Sequence, residues 1–184
     1  MSNRLVAVNS KSDIFPQYRQ TPIGALLEYH NLNKTFTTYD KAQILIGMCI
    51  DNRKTLWIPE NFAFIIRTAG VNLLYSEFQI SFAISIANLK HMVLIAHNHC
   101  GMVDLHSQKE QFVAGLVNNA GWKAKNAENH FDQLSVYFEI GDEISFLIEE
   151  TKRLKKRYPK IMVAPLYFNV DDRKIYQIET NLDR

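Results

Sequence analysis

The chain has 184 residues, 47% hydrophobic and 22% charged, which is the length of about one domain with apolar material for a sizeable core. Its net charge of +2, from 21 basic and 19 acidic residues, gives no footprint for nucleic acid. No apolar stretch approaches the roughly 18 residues needed to span a bilayer. Met1 to Gln20 lacks the uninterrupted apolar core of a signal peptide, and two cysteines make no disulfide framework. The expectation is a cytoplasmic chain with no membrane partner, in a reducing medium where thiols stay available for metal.

Residues Met1–Gln20 mix polar residues, Pro16 and aromatics without clear period and read as an arm. Thr21-Pro22 has the form of a cap followed by proline at the first helical position, starting a helix through about Tyr29. Gln43–Ile50 is a continuous apolar run, the pattern of a strand buried on both faces, and Ala63–Arg67 is a second, shorter candidate. Ser76 stands where it can cap a helix from Glu77 to about Leu89, with Phe78, Phe82, Ile86 and Leu89 at helical spacing. His91–Ala96 is another buried-strand run. Ser107-Gln108-Lys109-Glu110 has the form of a capping box opening a helix that stops near Gly121. A long helix follows around Gln133–Tyr158, broken near Gly141. Its basic run Lys152-Arg153-Leu154-Lys155-Lys156-Arg157 reads as a solvated helix end, cations toward the C-terminus. Lys160–Asn169 and Lys174–Ile178 read as two strands joined by the polar turn Val170–Arg173.

Strands alternating with helices predict an α/β fold: a mostly parallel central sheet flanked by helices, with an N-terminal helical arm and a C-terminal edge hairpin. One domain over 1–184 is expected, residues 1–42 forming the arm and first helix and 43–184 the core. Ligands of such sheets bind beyond the carboxyl ends of the strands. Two strand ends carry chemistry: Cys49-Ile50-Asp51-Asn52-Arg53 and His97-Asn98-His99-Cys100.

If those strands are neighbours in a parallel sheet, Cys49, His97 and Cys100 converge. Two thiolates and an imidazole suit Zn²⁺, and three protein ligands leave a fourth tetrahedral position for water. His97 and Cys100 are close enough in sequence for a tight turn to aim both at one ion, and His99 then points away if that turn is extended. Other readings use the same residues. Cysteines are often simply buried, and Cys100 with His97 or His99 could form a nucleophile and base, which leaves Cys49 without a role. A redox disulfide lacks a C-x-x-C pair. Asp51 can ligate a metal or accept a hydrogen bond beside it, and Arg53 can hold that carboxylate off the ion. The plain alternative is a structural ion pair.

The ordered motifs Cys49-Ile50-Asp51-Asn52-Arg53, Arg67-Thr68-Ala69-Gly70 and His97-Asn98-His99-Cys100-Gly101 resemble the C-x-D-x-R, R-N-A-G and H-x-x-C-G motifs of the β-class carbonic anhydrases. The likeness is closest from Ile44 to Asp104, extends to the closing strands near Tyr167 and Asp171, and is loose in the arm. It implies one Zn²⁺ per chain on Cys49, His97 and Cys100, choosing His97 over His99. It also implies an Asp51–Arg53 catalytic dyad, and Gly70 and Gly101 lining a substrate pocket. The implied activity is reversible hydration of CO₂ to bicarbonate by a zinc-bound hydroxide, in a homodimer or higher homo-oligomer. His99 and His106 stand near enough in sequence to serve as proton relays.

The chain departs from the family pattern in places. Asn52 stands for a small residue, Thr68 for Asn, and Ala96 for Gly or His, while His99 is bulkier than usual. The substrate-contacting glutamine before the first cysteine strand falls near Asp40-Lys41, with Gln43 close by. Relatives that hydrolyse carbonyl sulfide or carbon disulfide use the same zinc chemistry. A catalytically silent zinc-bound dimer is the reading from another class.

Overall fold

A computed structural model describes residues 4–179. Within them the order is β1 (Arg4–Val6), α1 (Pro22–Leu32), β2 (Ile44–Cys49), β3 (Ala63–Thr68), α2 (Glu77–Ala87) and β4 (His91–His97). Then come α3 (Lys109–Ala120), α4 (Ala124–Leu134), α5 (Glu143–Arg157), β5 (Met162–Asn169) and β6 (Lys174–Glu179). The strands form one sheet in the order β1-β6-β5-β4-β2-β3. Strands β5, β4, β2 and β3 run parallel, while β6 is antiparallel to β5 and β1 is antiparallel to β6.

Apolar alternation along the central strands builds two cores. Leu45 and Cys49 face one side with Leu94, Leu147 and Leu154. Ile44, Ile46 and Met48 face the other with Val93, Ile95, Leu26 and Leu27 of α1. Every residue of β2 is buried, as expected of a parallel strand covered on both faces. Helix α1 starts as its sequence demands, Thr21 Oγ1 accepting from the backbone N–H groups of Ile23 and Gly24.

Several expectations need correction. The arm supplies β1, whose Leu5 pairs with Ile178, so the C-terminal hairpin forms as expected but β1 lies along its outer side. The Ser107 box does not form: Ser107 Oγ donates to the Asp104 carbonyl within a 3₁₀ turn, and α3 starts after Gln108. Ser76 makes no side-chain cap. The long helix around 133–158 is in fact α4, a 3₁₀ turn and α5. Gly141 breaks it, and Asp142 caps α5 by accepting from the Ser145 N–H at 2.7 Å. The helical stripe divides between two environments: Phe78, Phe82 and Ile86 of α2 are 79, 51 and 71% exposed, Leu89 just beyond the helix is buried, and Ile80 and Ala83 face the core.

Candidate metal centre

Strands β2 and β4 are adjacent and parallel, with Met48 opposite Ile95. Their carboxyl ends therefore release Cys49 and His97 side by side. Beyond His97 the chain turns sharply through His99, in the left-handed region at φ 55°, and returns Cys100 to the same corner. The ligand atoms of Cys49, His97 and Cys100 all lie within 4.8 Å of one another, and all three residues are buried. The two halves of the split motif thus meet in one cluster.

The cluster has the features of a metal site. His97 Nδ1 lies 2.8 Å from the Asn98 carbonyl, so Nδ1 carries the proton and donates it. The other ring nitrogen, Nε2, is buried and has no hydrogen-bond partner among the described residues. Fixing the far ring nitrogen in this way orients a ligating imidazole. Both cysteines are free thiols. The hydrogen bond between them holds Cys49 well below the usual thiol range, and the same bond, reinforced by burial, pushes Cys100 up. One proton therefore leaves this pair easily and the other with difficulty, until a cation takes its place. Two soft sulfurs and one imidazole nitrogen are the donor set that Zn²⁺ favours.

Asp51 stands beside the cluster, Oδ2 lying 3.9 Å from His97 Nε2. Arg53 grips it in a fork. Nε donates to the two carboxylate oxygens at 3.0 and 3.1 Å, Nη2 donates to Oδ2 at 2.6 Å, and the Arg53 backbone N–H adds a bond to Oδ1. The guanidinium holds the Asp51 carboxyl far below the ordinary carboxylate range. Arg53 Nη2 also donates to the His99 carbonyl at 2.8 Å, which ties the two motif loops together.

The remaining sequence candidates are not members of the cluster. Gly70 takes φ 61°, and a Cβ there would stand 3.3 Å from that of Met102, so glycine suits both the turn and the close approach. Its neighbour Val71 is also left-handed, at φ 64°, an uncommon state for a β-branched residue. A Cβ at Gly101 would meet only the Gln108 side chain, at 4.0 Å, and the Gly101 carbonyl accepts from Gln108 Nε2. His99 and His106 are not in the cluster. His99 is exposed with its ring 3.7 Å from Asp171, and His106 pairs with Glu139.

Four supporting residues escaped the motif reading. Arg67, quoted in the second motif but given no role there, donates to the carbonyls of Cys49, Asp51 and Lys54 and pins the loop after β2. Asn98 binds Asp171 and the Val170 N–H, fastening the His97 turn to the β5–β6 hairpin. Glu143, at the start of α5, accepts from the Cys100 N–H at 3.4 Å. Lys54 is buried. Only position could have hinted at it, a lysine directly after the C-x-D-x-R motif.

No protein-family model matches the chain, and no curated protein matches it in sequence. Solved structures do match in fold. A β-carbonic anhydrase, isoform I, from Trichomonas vaginalis is 20% identical, covers 83% of this chain and 91% of its own, and superposes with a TM-score of 0.63. A carbonic anhydrase from Glaciozyma antarctica is 18% identical over 89% of this chain and 95% of its own, at 0.61. A carbon disulfide hydrolase in its apo form is 13% identical over 73% and 77%, at 0.53. The chain has the fold of the β-carbonic anhydrases, a fold that this hydrolase shares.

Proposed function

We propose that the chain is a zinc enzyme that interconverts CO₂ and bicarbonate, with Cys49, His97 and Cys100 as ligands and Asp51 and Arg53 as its orienting pair. The observation that carries this reading is the buried, unpartnered Nε2 of His97, converging with two free thiols beside a carboxylate already held by arginine. A structural cysteine–histidine cluster needs no such carboxylate.

When bound, zinc supplies a Lewis acid that ionises water and so provides the nucleophile for the CO₂ carbon. The chain's own groups do the rest. Asp51, kept ionised by Arg53, is an acceptor only, so it takes the hydrogen bond of the incoming nucleophile and turns a lone pair toward the substrate. Arg53 prevents the carboxylate from swinging onto the ligand cluster. The His97–Asn98 bond fixes the tautomer, and Gly70 and Gly101 border the space left for a small substrate. In this reading His99, beside Asp171, carries the product proton out, and His106 on Glu139 is a second route. Two thiolates formally neutralise a divalent ion, so water ionises there less readily than beside three imidazoles. Turnover is expected to rise from about pH 6 to about pH 9.

The same corner serves hydrolysis of carbonyl sulfide or carbon disulfide, and the shared fold of the carbon disulfide hydrolase keeps that as the second reading. Stopped-flow CO₂ hydration set beside sulfide release from both sulfur compounds separates the two. Faster turnover of a sulfur substrate would replace the first reading by the second, and zinc-loaded protein inert toward all three would leave a silent binding module.

The partner in this proposal is a second copy of the chain. Edge strand β3 exposes Phe64 and Ile65 next to Phe78, Phe82 and Ile86 of α2, and the groove between strand and helix is lined by Leu45, Phe64, Ile66, Phe78 and Phe82. An open sheet edge beside a continuous apolar face is the surface of a protein–protein contact. The free thiols support a reducing, cytoplasmic setting, and among the described residues no helix is long and apolar enough to cross a membrane. The single-domain division at residue 42 belongs to the same proposal.

A further inference from the structure

The mechanism above leaves one buried charge unused. Lys54 follows Arg53 in the segment between β2 and β3 and is 1% exposed. Its carbonyl is fastened by Arg67 Nη2 at 3.0 Å, so the residue is held in place by its backbone. Its Nζ finds no hydrogen-bond partner among the described residues. Cys49, Asp51 and Cys100 act electrostatically on its charge, and Arg67 acts against them. A buried ammonium without an acceptor is costly unless nearby negative charge compensates it. Burial lowers the hold of Lys54 on its proton by more than the two sulfurs and Asp51 raise it.

The reason for placing a cation here follows from the charges. A divalent ion on two thiolates is formally neutral, and Asp51 and Arg53 cancel each other, so once the ion binds Lys54 and Arg67 are the positive charges left. The Arg67 guanidinium is held by the Cys49, Asp51 and Lys54 carbonyls, whereas Lys54 Nζ has no hydrogen-bond partner among the described residues. A monovalent anion held at the open position brings the negative charge that Lys54 then lacks.

We propose that Lys54 is the buried counter-ion for a small monovalent anion, bicarbonate above all, at the Cys49–His97–Cys100 centre. It is a positioning residue that acts through space without touching the anion. The inference rests on the reading of the centre as a metal site for CO₂ and bicarbonate. Its signature is an opposition of signs. A positive charge that favours an anion disfavours a divalent cation in the same corner, so removing it weakens one and strengthens the other. A damaged site weakens both.

The test uses full-length protein with Co²⁺ as the metal probe. Metal affinity is read by competition with a chelator, and anion affinity by the visible spectrum on titration with bicarbonate and with thiocyanate. Lys54→Met is expected to bind Co²⁺ more tightly and each anion about tenfold more weakly. That is the effect of a unit charge roughly 12 Å away at an effective dielectric of about 20, and a closer charge does more. Lys54→Arg, which keeps the charge, is expected to restore the anion affinity. Unchanged anion affinity in Lys54→Met overturns the proposal, because the lysine is then neutral or too distant. Parallel loss of metal and anion binding in Lys54→Met also overturns it, in favour of a structural role. A wild-type chain that takes up no Co²⁺ sinks the metal reading itself. CO₂ hydration by the wild-type zinc protein tests the activity separately.

Discussion

Two regions of this molecule are incomplete in opposite chemical senses. At the carboxyl ends of β2 and β4, polar groups are buried without partners: His97 Nε2 and Lys54 Nζ have no hydrogen bonds among the described residues. Along β3 and α2, apolar groups are exposed without cover, with Phe78 79% and Ile86 71% accessible. The first region needs charge and the second needs protein. An unpaired buried ring nitrogen beside two thiols points to a cation, while an exposed apolar face beside an open edge points to another chain. The deficit at a site thus identifies the class of ligand that corrects it.

The comparison breaks first at the ligands. Cys100→Ser is expected to lose bound zinc and essentially all CO₂ hydration, measured by metal analysis and stopped-flow. Full zinc occupancy in that variant contradicts the ligand set. Asp51→Asn removes the charged acceptor and leaves the ligands alone, so zinc should stay while turnover falls by about 10–100-fold. Equal loss of metal and turnover would make Asp51 a ligand instead. On the other region, Phe78→Glu puts a charge on the apolar face. Light scattering is expected to report a dimer for the wild type and a monomer for Phe78→Glu, whereas an unaltered mass moves the contact elsewhere. His99→Ala has the smallest expected effect. Zinc remains bound, and any fall in turnover in dilute buffer is restored by added imidazole. Loss of metal there would mean that His99, not His97, is the ligand.

The central strands and the split site were legible because their signals are local and strong. The continuous apolar runs of β2 and β4 can be satisfied only by burial on both faces, and neighbouring parallel strands with reactive residues at their ends must place them together. What escaped is set by distant partners. Strand β1 is a short segment whose register comes from β6 at the far end of the chain. Helix α4 shows little in sequence because only Ala127 and Phe131 of its residues are buried. The stripe of α2 had the right period, but helical spacing tells which residues lie together, not what covers them. Lys54 resembles any loop lysine until the structure shows it fully enclosed. Ser107 has capping-box spacing, yet its hydroxyl is used by the 3₁₀ turn before α3.

The central claim is that the Cys49–His97–Cys100 corner is a zinc site that hydrates CO₂. The direct measurement strips the protein of metal with a chelator, returns zinc in steps, and follows CO₂ hydration by stopped-flow at alkaline pH. The account predicts a rate that rises linearly and breaks at one zinc per chain, with no rise in Cys100→Ser. A fully zinc-loaded chain that hydrates no CO₂, or a rate indifferent to zinc, would contradict it.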